Sequence, residues 1–304
     1  MKMVNQQHFL KNRKFTTWFY GYLFIAPTIL AIIVLYLWPM VQSLYYSFNE
    51  VKGFQSPVFV GLDNYERLIQ DTEVFGALGN TFLYALLTVP LGIFISLITA
   101  VLLNTNIKGK GIVRTLYFLP VVSAPAAVAL VWKWIYNNQY GLLNQILGFF
   151  GIPGQDWLGN PKLALISIAI VGIWSMVGYN MIILIAGLQD IPRSLYESAD
   201  IDGAGPVRKF FNITLPMVSP TLFFVSVTTV MGSLQVFDHI YMMLTPESPS
   251  FKSTESIVYL FFRYTFQNYN KGYGSTIVIF LLLIILALTF VQMKLQKKWV
   301  HYND

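Results

Sequence analysis

The side chains able to do chemistry are few, and they fall in two places. Glu197, Asp200 and Asp202 crowd together just ahead of a Gly203-Ala204-Gly205 turn, and Asp238 stands beside His239 at the end of an apolar run. The first group suits docking: a short helix with Leu195 and Ala199 on one side and acids elsewhere fits a partner's groove. The second would suit an ion- or proton-coupled carrier, which needs acids or unwound helices near the bilayer midplane. One marginal acid is thin equipment for that work, so energy coupling is expected to come from outside the chain. Catalysis finds no foothold. His8, His239 and His301 are too scattered to share a metal, and the chain has no cysteine. No Walker A pattern is present to cradle nucleotide phosphates, and there is no His-Glu-x-x-His. Ser175, inside Gly172-Ile173-Trp174-Ser175-Met176-Val177-Gly178, has the wrong glycine spacing for a nucleophile elbow.

The elements that position these groups are membrane helices. Charged residues make up 11% of the 304 and hydrophobic ones 55%, with mean hydropathy +0.57. A soluble domain carries about 25% charge, so the deficit indicates an integral membrane protein. The 16% aromatic content agrees with rings gathered at bilayer interfaces. A net charge of +6 does not imply nucleic acid, because the basic residues flank apolar runs and build no stripe. Lys2, Lys11, Arg13 and Lys14 precede an apolar run too long for a signal peptide, which reads as a retained first span.

About 20 apolar residues cross a bilayer. Six segments qualify: 19–38, 79–103, 113–136, 162–188, 219–244 and 274–294. The third is expected to kink at Pro120 and Pro125. Of the Lys and Arg residues, 13 fall on the side of the termini and the 191–220 loop and 7 on the other, so both termini and that loop are expected in the cytoplasm. Outside, Asp63 is the expected N-cap of a short helix in 49–78, residues 137–161 read as an irregular loop or lid, and IVYLFFRYTF in 245–273 reads as an interfacial helix. No repeat or linker divides the chain, so residues 1–304 are expected to form one domain, all-α and polytopic.

In the 191–220 loop, Pro192 and Pro206 each suit the opening of a helix. The expectation is helix, glycine break, then an amphipathic helix with Val207, Phe210, Phe211 and Thr214 in period. The plain alternative is an amphipathic segment that only seals the bundle against headgroups, but three acids facing an anionic surface would serve it poorly. Asp200 and Asp202 also read as helix caps, Asp200 above all.

These residues resemble the EAA loop of ABC-importer permeases, E-A-A-x-x-D-G-A-x-x-x-x-x-F-x-x-I-x-L-P, through Glu197-Ser198-Ala199, Asp202-Gly203-Ala204, Phe210, Ile213 and Leu215-Pro216. Ser198 for Ala is the single departure among those positions. Pro39, Ser47-Phe48, Val60-Gly61-Leu62-Asp63-Asn64-Tyr65, Leu119-Pro120 and Phe237-Asp238-x-Ile240-Tyr241 with Thr245 extend the resemblance to the binding-protein-dependent sugar permeases of the maltose and glycerol-phosphate type. The resemblance implies a type I ABC importer permease fold with six transmembrane helices, in a bacterial or archaeal cytoplasmic membrane. It implies a non-catalytic subunit paired with a second homologous permease, two ABC ATPase subunits that bind the ATP and Mg, and an extracytoplasmic solute-binding protein. The loop would be the coupling helix, worked by Glu197, Ala199, Asp202, Gly203, Ala204, Phe210, Leu215 and Pro216, with Glu197 meeting a basic residue of the ATPase. Two departures stand out: Thr245 leads into Pro246-Glu247-Ser248-Pro249 where Gly-Gly-Pro is usual, and the larger maltose subunit has extra helices and a large external domain that this chain lacks.

Sugar sites combine aromatic walls with a few amides and hydroxyls. Candidates on the solute path are therefore Trp174, Ser175, Tyr179 and Asn180 in the fourth span, Ser233, Gln235 and Asp238 in the fifth, and Trp132 in the third. Interhelical packing is the alternative for each, and an interface belt for Trp132. The expected cargo is a carbohydrate, with glycerol phosphate or another small polar solute as the alternative, and an ion-coupled carrier using Asp238 as the reading from a different class.

Overall fold

The computed structural model describes residues 3–53, 55–105 and 108–301, with backbone alone before residue 16. Lys2 and the side chains of His8, Lys11, Arg13 and Lys14 lie outside the described residues. The first span begins as α1 (Met3–Ile32), passes through a π-turn (Ile33–Leu37) just ahead of Pro39, and continues as α2 (Trp38–Ser47). Its apolar stretch buries nothing within the chain, and only the α2 end packs against the bundle.

A two-residue antiparallel pair follows, β1 (Asn49–Glu50) with β2 (Val58–Phe59), in the register Asn49 to Phe59. The short helix α3 (Asp63–Gln70) comes next. Asp63 is its first helical residue and not its cap, which is Leu62. The neighbouring residues do the anchoring: the Asn64 amide donates to the Ser47 and Asn49 carbonyls at 3.1 and 3.0 Å, and the Tyr65 hydroxyl bonds the Ser47 hydroxyl at 2.8 Å. Two separated sequence motifs thus close on one another.

The bundle proper is built on α4 (Thr72–Leu103), opened by the Asp71 carboxylate accepting from the Glu73 N–H at 2.9 Å. The third span is not one kinked helix. It is α5 (Lys110–Val122) and α6 (Pro125–Ile135), turned 103° apart. Ser123 and Ala124 between them are extended, because Pro125 offers no N–H and crowds the preceding residue out of helical geometry. In the loop expected to be irregular, α7 (Leu142–Phe149) forms and is held by the Asn144 amide donating to the Asn138 and Gln155 carbonyls.

The fourth span, α8 (Ala164–Gln189), runs unbroken. Glycine sets its close approaches: a methyl group at Gly178 would collide with the Tyr117 carbonyl of α5. The loop after it holds α9 (Arg193–Ile201) and then α10 (Pro206–Lys209), a π-turn (Phe210–Thr214) and α11 (Leu215–Met217). The chain bends 67° into α12 (Ser219–Leu234). At this bend Pro220 has no N–H to return, and the Ser219 hydroxyl donates to the Pro216 carbonyl at 2.6 Å instead.

The expected fifth helix over 219–244 also breaks at its other end. Residues 235–237 leave helical geometry, and α13 (Asp238–Met243) starts afresh. The Ser256 hydroxyl donates to the freed Val236 carbonyl at 2.6 Å, which stabilises the break. Then α14 (Ile257–Phe262), continued by a π-turn (Arg263–Gln267), leads to the last span, α15 (Lys271–Trp299). Within residues 257–267, Ile257 and Leu260 are fully buried against α4 and α15, while Phe266 is exposed. Among the described residues, four helices are long and apolar enough to cross a membrane, and up to six if the bent pairs Lys110–Val122 with Pro125–Ile135 and Pro206–Met217 with Ser219–Leu234 each count as one span.

Candidate functional site

A cleft of about 350 Å³ opens between α4, α8, α12 and α13. Six of the eight side chains expected on a solute path line it: Ser175, Tyr179, Asn180, Ser233, Gln235 and Asp238. The helix break at 235–237 creates the arrangement, since it swings Gln235 and Asp238 to the wall that α8 faces. Trp132 and Trp174 are not in the lining; they pack edge to face, ring centres 5.7 Å apart.

The lining residues divide by availability. Tyr179 is 48% exposed, and Gln235 and Asp238 are exposed. Asn180 and Ser233 are each 3% exposed and already engaged: the Asn180 amide donates to the Thr229 hydroxyl at 3.1 Å, and Ser233 accepts from the Thr88 hydroxyl at 3.1 Å. These two tie helices together and shape the wall, while Tyr179, Gln235 and Asp238 stay exposed in it, the Gln235 amide donating to the Met231 carbonyl at 3.1 Å. Ser175 faces the His239 ring at 3.4 Å. Sequence reasoning singled out neither Tyr84, Thr228 and Thr229 nor His239 as lining. Pairs such as Asn180 with Thr229 are set by where α8 crosses α12, which no spacing along the chain records.

The second site is the loop after α8. Gly203 has φ +69°, its N–H bonds the Asp200 carbonyl at 3.1 Å, and the Ala204 N–H bonds the Ala199 carbonyl at 2.9 Å. This paired closure satisfies the last carbonyls of α9 and needs a residue without a Cβ at the left-handed position. Asp202 is the C-terminal flanking residue of α9. Asp200 does not cap the helix; its carboxylate pairs with Lys209 of α10. Glu197 and Asp202 are exposed, as is Ile201 at 88%, so the loop presents acids around an apolar tip. Phe210, Ile213 and Leu215 face the other way and pack on the buried cluster formed by α4, α8 and α12, while Pro216 precedes the 67° bend. From Asn180 to the end of α8 is ten residues, or about 15 Å along the axis. The cleft, midway along α8, and the loop after it are therefore joined by that one helix.

Among the described residues no group of His, Asp and Glu is arranged to hold a metal.

An all-α bundle of broken and unbroken apolar helices, with a mid-span polar cleft and an exposed acidic loop, is the architecture of a multi-pass membrane transport protein. The chain belongs to the family described as "Binding-protein-dependent transport system inner membrane component", which it matches over residues 74–301. It is 35% identical to the probable ABC transporter permease protein YesP of Bacillus subtilis (strain 168), covering 93% of this chain and 92% of that one. It is 34% identical to the sn-glycerol-3-phosphate transport system permease protein UgpA of Agrobacterium fabrum (strain C58 / ATCC 33970), covering 93% and 96%. It is also 34% identical to the arabinooligosaccharides transport system permease protein AraP of Halalkalibacterium halodurans, covering 96% and 94%. The fold superposes on a chain of a bacterial ABC transporter involved in import of the acidic polysaccharide alginate, with TM-score 0.83 at 22% identity, covering 96% of this chain and 99% of that one.

Proposed function

We propose that the chain is the non-catalytic permease subunit of an ATP-driven importer and that it carries an oligosaccharide into the cell. The observation that carries the reading is the cleft at mid-span joined by α8 to an exposed, acid-bearing loop. In this reading Glu197, Ala199, Asp202, Gly203, Ala204, Phe210, Leu215 and Pro216 couple the bundle to ATPase subunits, which supply the ATP and Mg. Tyr179, Gln235 and Asp238 meet the sugar: the ring offers an apolar face and the polar groups meet hydroxyl edges. The family's description makes a binding protein the delivering partner. A second, homologous permease would cover the first span, whose apolar stretch buries nothing within its own chain. The charge bias supports a cytoplasmic position for both termini and the loop.

Glycerol phosphate is the second reading, supported by the identity to UgpA. Against it, the described lining of the cleft includes no Lys or Arg to balance a phosphate. The test is uptake into proteoliposomes holding the complex with its ATPases and binding protein. Labelled oligosaccharide should enter only with ATP, with no competition from glycerol phosphate. Uptake driven by a proton gradient without ATP, and abolished by Asp238→Asn, would establish the carrier reading instead.

A further inference from the structure

We propose that Tyr196 and Thr214 form the strut through which movement of α9 reaches α12 and the cleft. The proposal rests on the importer reading above and names two residues outside the motif positions that carry it. None of the residues of α9 is fully buried, and only Tyr196 and Ala199 are half-buried. A load applied to α9 therefore has few ways into the bundle: its two chain ends, the Asp200–Lys209 ion pair, and Tyr196. The ion pair is a weak link, because the Asp200 side chain is 64% exposed and water and salt screen it.

Tyr196 is better placed. Its ring packs, as do Phe210, Ile213 and Leu215, on the buried cluster of α4, α8 and α12, and its hydroxyl lies 2.9 Å from Thr214 Oγ1. Thr214 is buried and ends the π-turn, and its own hydroxyl is directed at the Lys209 carbonyl at 3.4 Å. Either hydroxyl can donate in the Tyr196–Thr214 bond. A π-turn is a helix segment with a non-standard register, common at functional sites. Four residues beyond Thr214 the chain bends by 67° at Val218, and α12 then carries Thr229 and Ser233 to the cleft wall. The strut thus joins the exposed helix to the one irregular turn upstream of the bend.

The variants are Tyr196→Phe, which keeps the ring and removes its hydroxyl, and Thr214→Val, which keeps the shape and removes the partner hydroxyl. The reading is solute taken up per ATP hydrolysed by the reconstituted complex with its ATPases and binding protein. Each variant is expected to lower that ratio on the order of tenfold. The double variant should be no worse than either, since both remove one interaction. Thr214→Ser should restore the ratio, and assembly with the ATPases should not change. An unchanged ratio in Tyr196→Phe overturns the strut, as do additive losses. Loss of assembly with the ATPases in Tyr196→Phe also overturns it, by showing a structural role. If the unaltered complex shows no ATP-driven uptake, the importer reading fails and takes the strut with it.

Discussion

Replacing Gly203 with valine isolates the backbone's contribution to the loop. Gly203 sits at φ +69°, and a side chain added there meets no atom within 4 Å. The cost is therefore conformational strain alone, with no collision to confuse it. Holding an L-residue in the left-handed region costs about 1–2 kcal/mol, and a β-branched one is at the upper end. At tenfold per 1.4 kcal/mol, the closed turn after α9 should lose roughly five- to thirtyfold in population. Because α9 buries none of its residues completely, the bundle should unfold at its usual temperature. ATP-driven uptake by the reconstituted complex should fall with the population of the turn. Gly203→Asn should recover most of it, since asparagine tolerates this geometry. Wild-type uptake in Gly203→Val, or equal damage from Asn and Val, would refute the reasoning.

Three further outcomes follow from the packing. Gly178→Ala drives a methyl into the Tyr117 carbonyl and should lower stability by about 3 kcal/mol, the upper end for overpacking, as read by thermal unfolding; Gly232→Ala, with open space around it, should not. Tyr179→Ala should weaken sugar transport about tenfold with no change in unfolding temperature, because the ring is half exposed in the cleft. Burial pushes the Glu255 carboxyl up to about 7, against the opposing charges of Arg263 and Lys252. The folded protein thus holds this proton more tightly than the unfolded chain does. Stability should be fully present below the unfolded value of about 4.5 and be lost as pH rises towards about 7. Glu255→Gln should flatten that dependence in a pH series of melting curves, leaving Arg263 paired with Glu73 at 2.8 Å.

What the sequence reveals follows the range of the forces involved. Apolar length alone locates the spans, because a bilayer demands it. The helix–glycine–helix loop is equally legible, since Gly203 and Pro206 act on their own backbone. The breaks at Ser123–Ala124 and at 235–237 are harder. Pro125 signals the first as a kink, but the 103° turn depends on how α6 packs beyond it. The second has no proline; it is held by Ser256, twenty residues on, bonding the Val236 carbonyl. The cleft is legible in its residue types and not in their grouping. Hydroxyls and amides on the fourth and fifth spans point to a path, yet only the packing of α12 on α8 and on α4 shows that Asn180 and Ser233 are engaged while Tyr179 is exposed. The packing of Ile257 and Leu260 on α4 and α15 is likewise invisible in the sequence, because an apolar helix reads the same against lipid and against protein.

The central claim is that an exposed acidic loop, and not an intramembrane acid, drives this bundle. Charge reversal at Glu197 tests it most directly, because that carboxylate is exposed and has no partner to lose among the described hydrogen bonds and ion pairs. In the complex reconstituted with its ATPases and binding protein, Glu197→Lys should abolish ATP-driven oligosaccharide uptake while thermal unfolding of the permease stays the same. Uptake at the unaltered rate in Glu197→Lys would contradict the account.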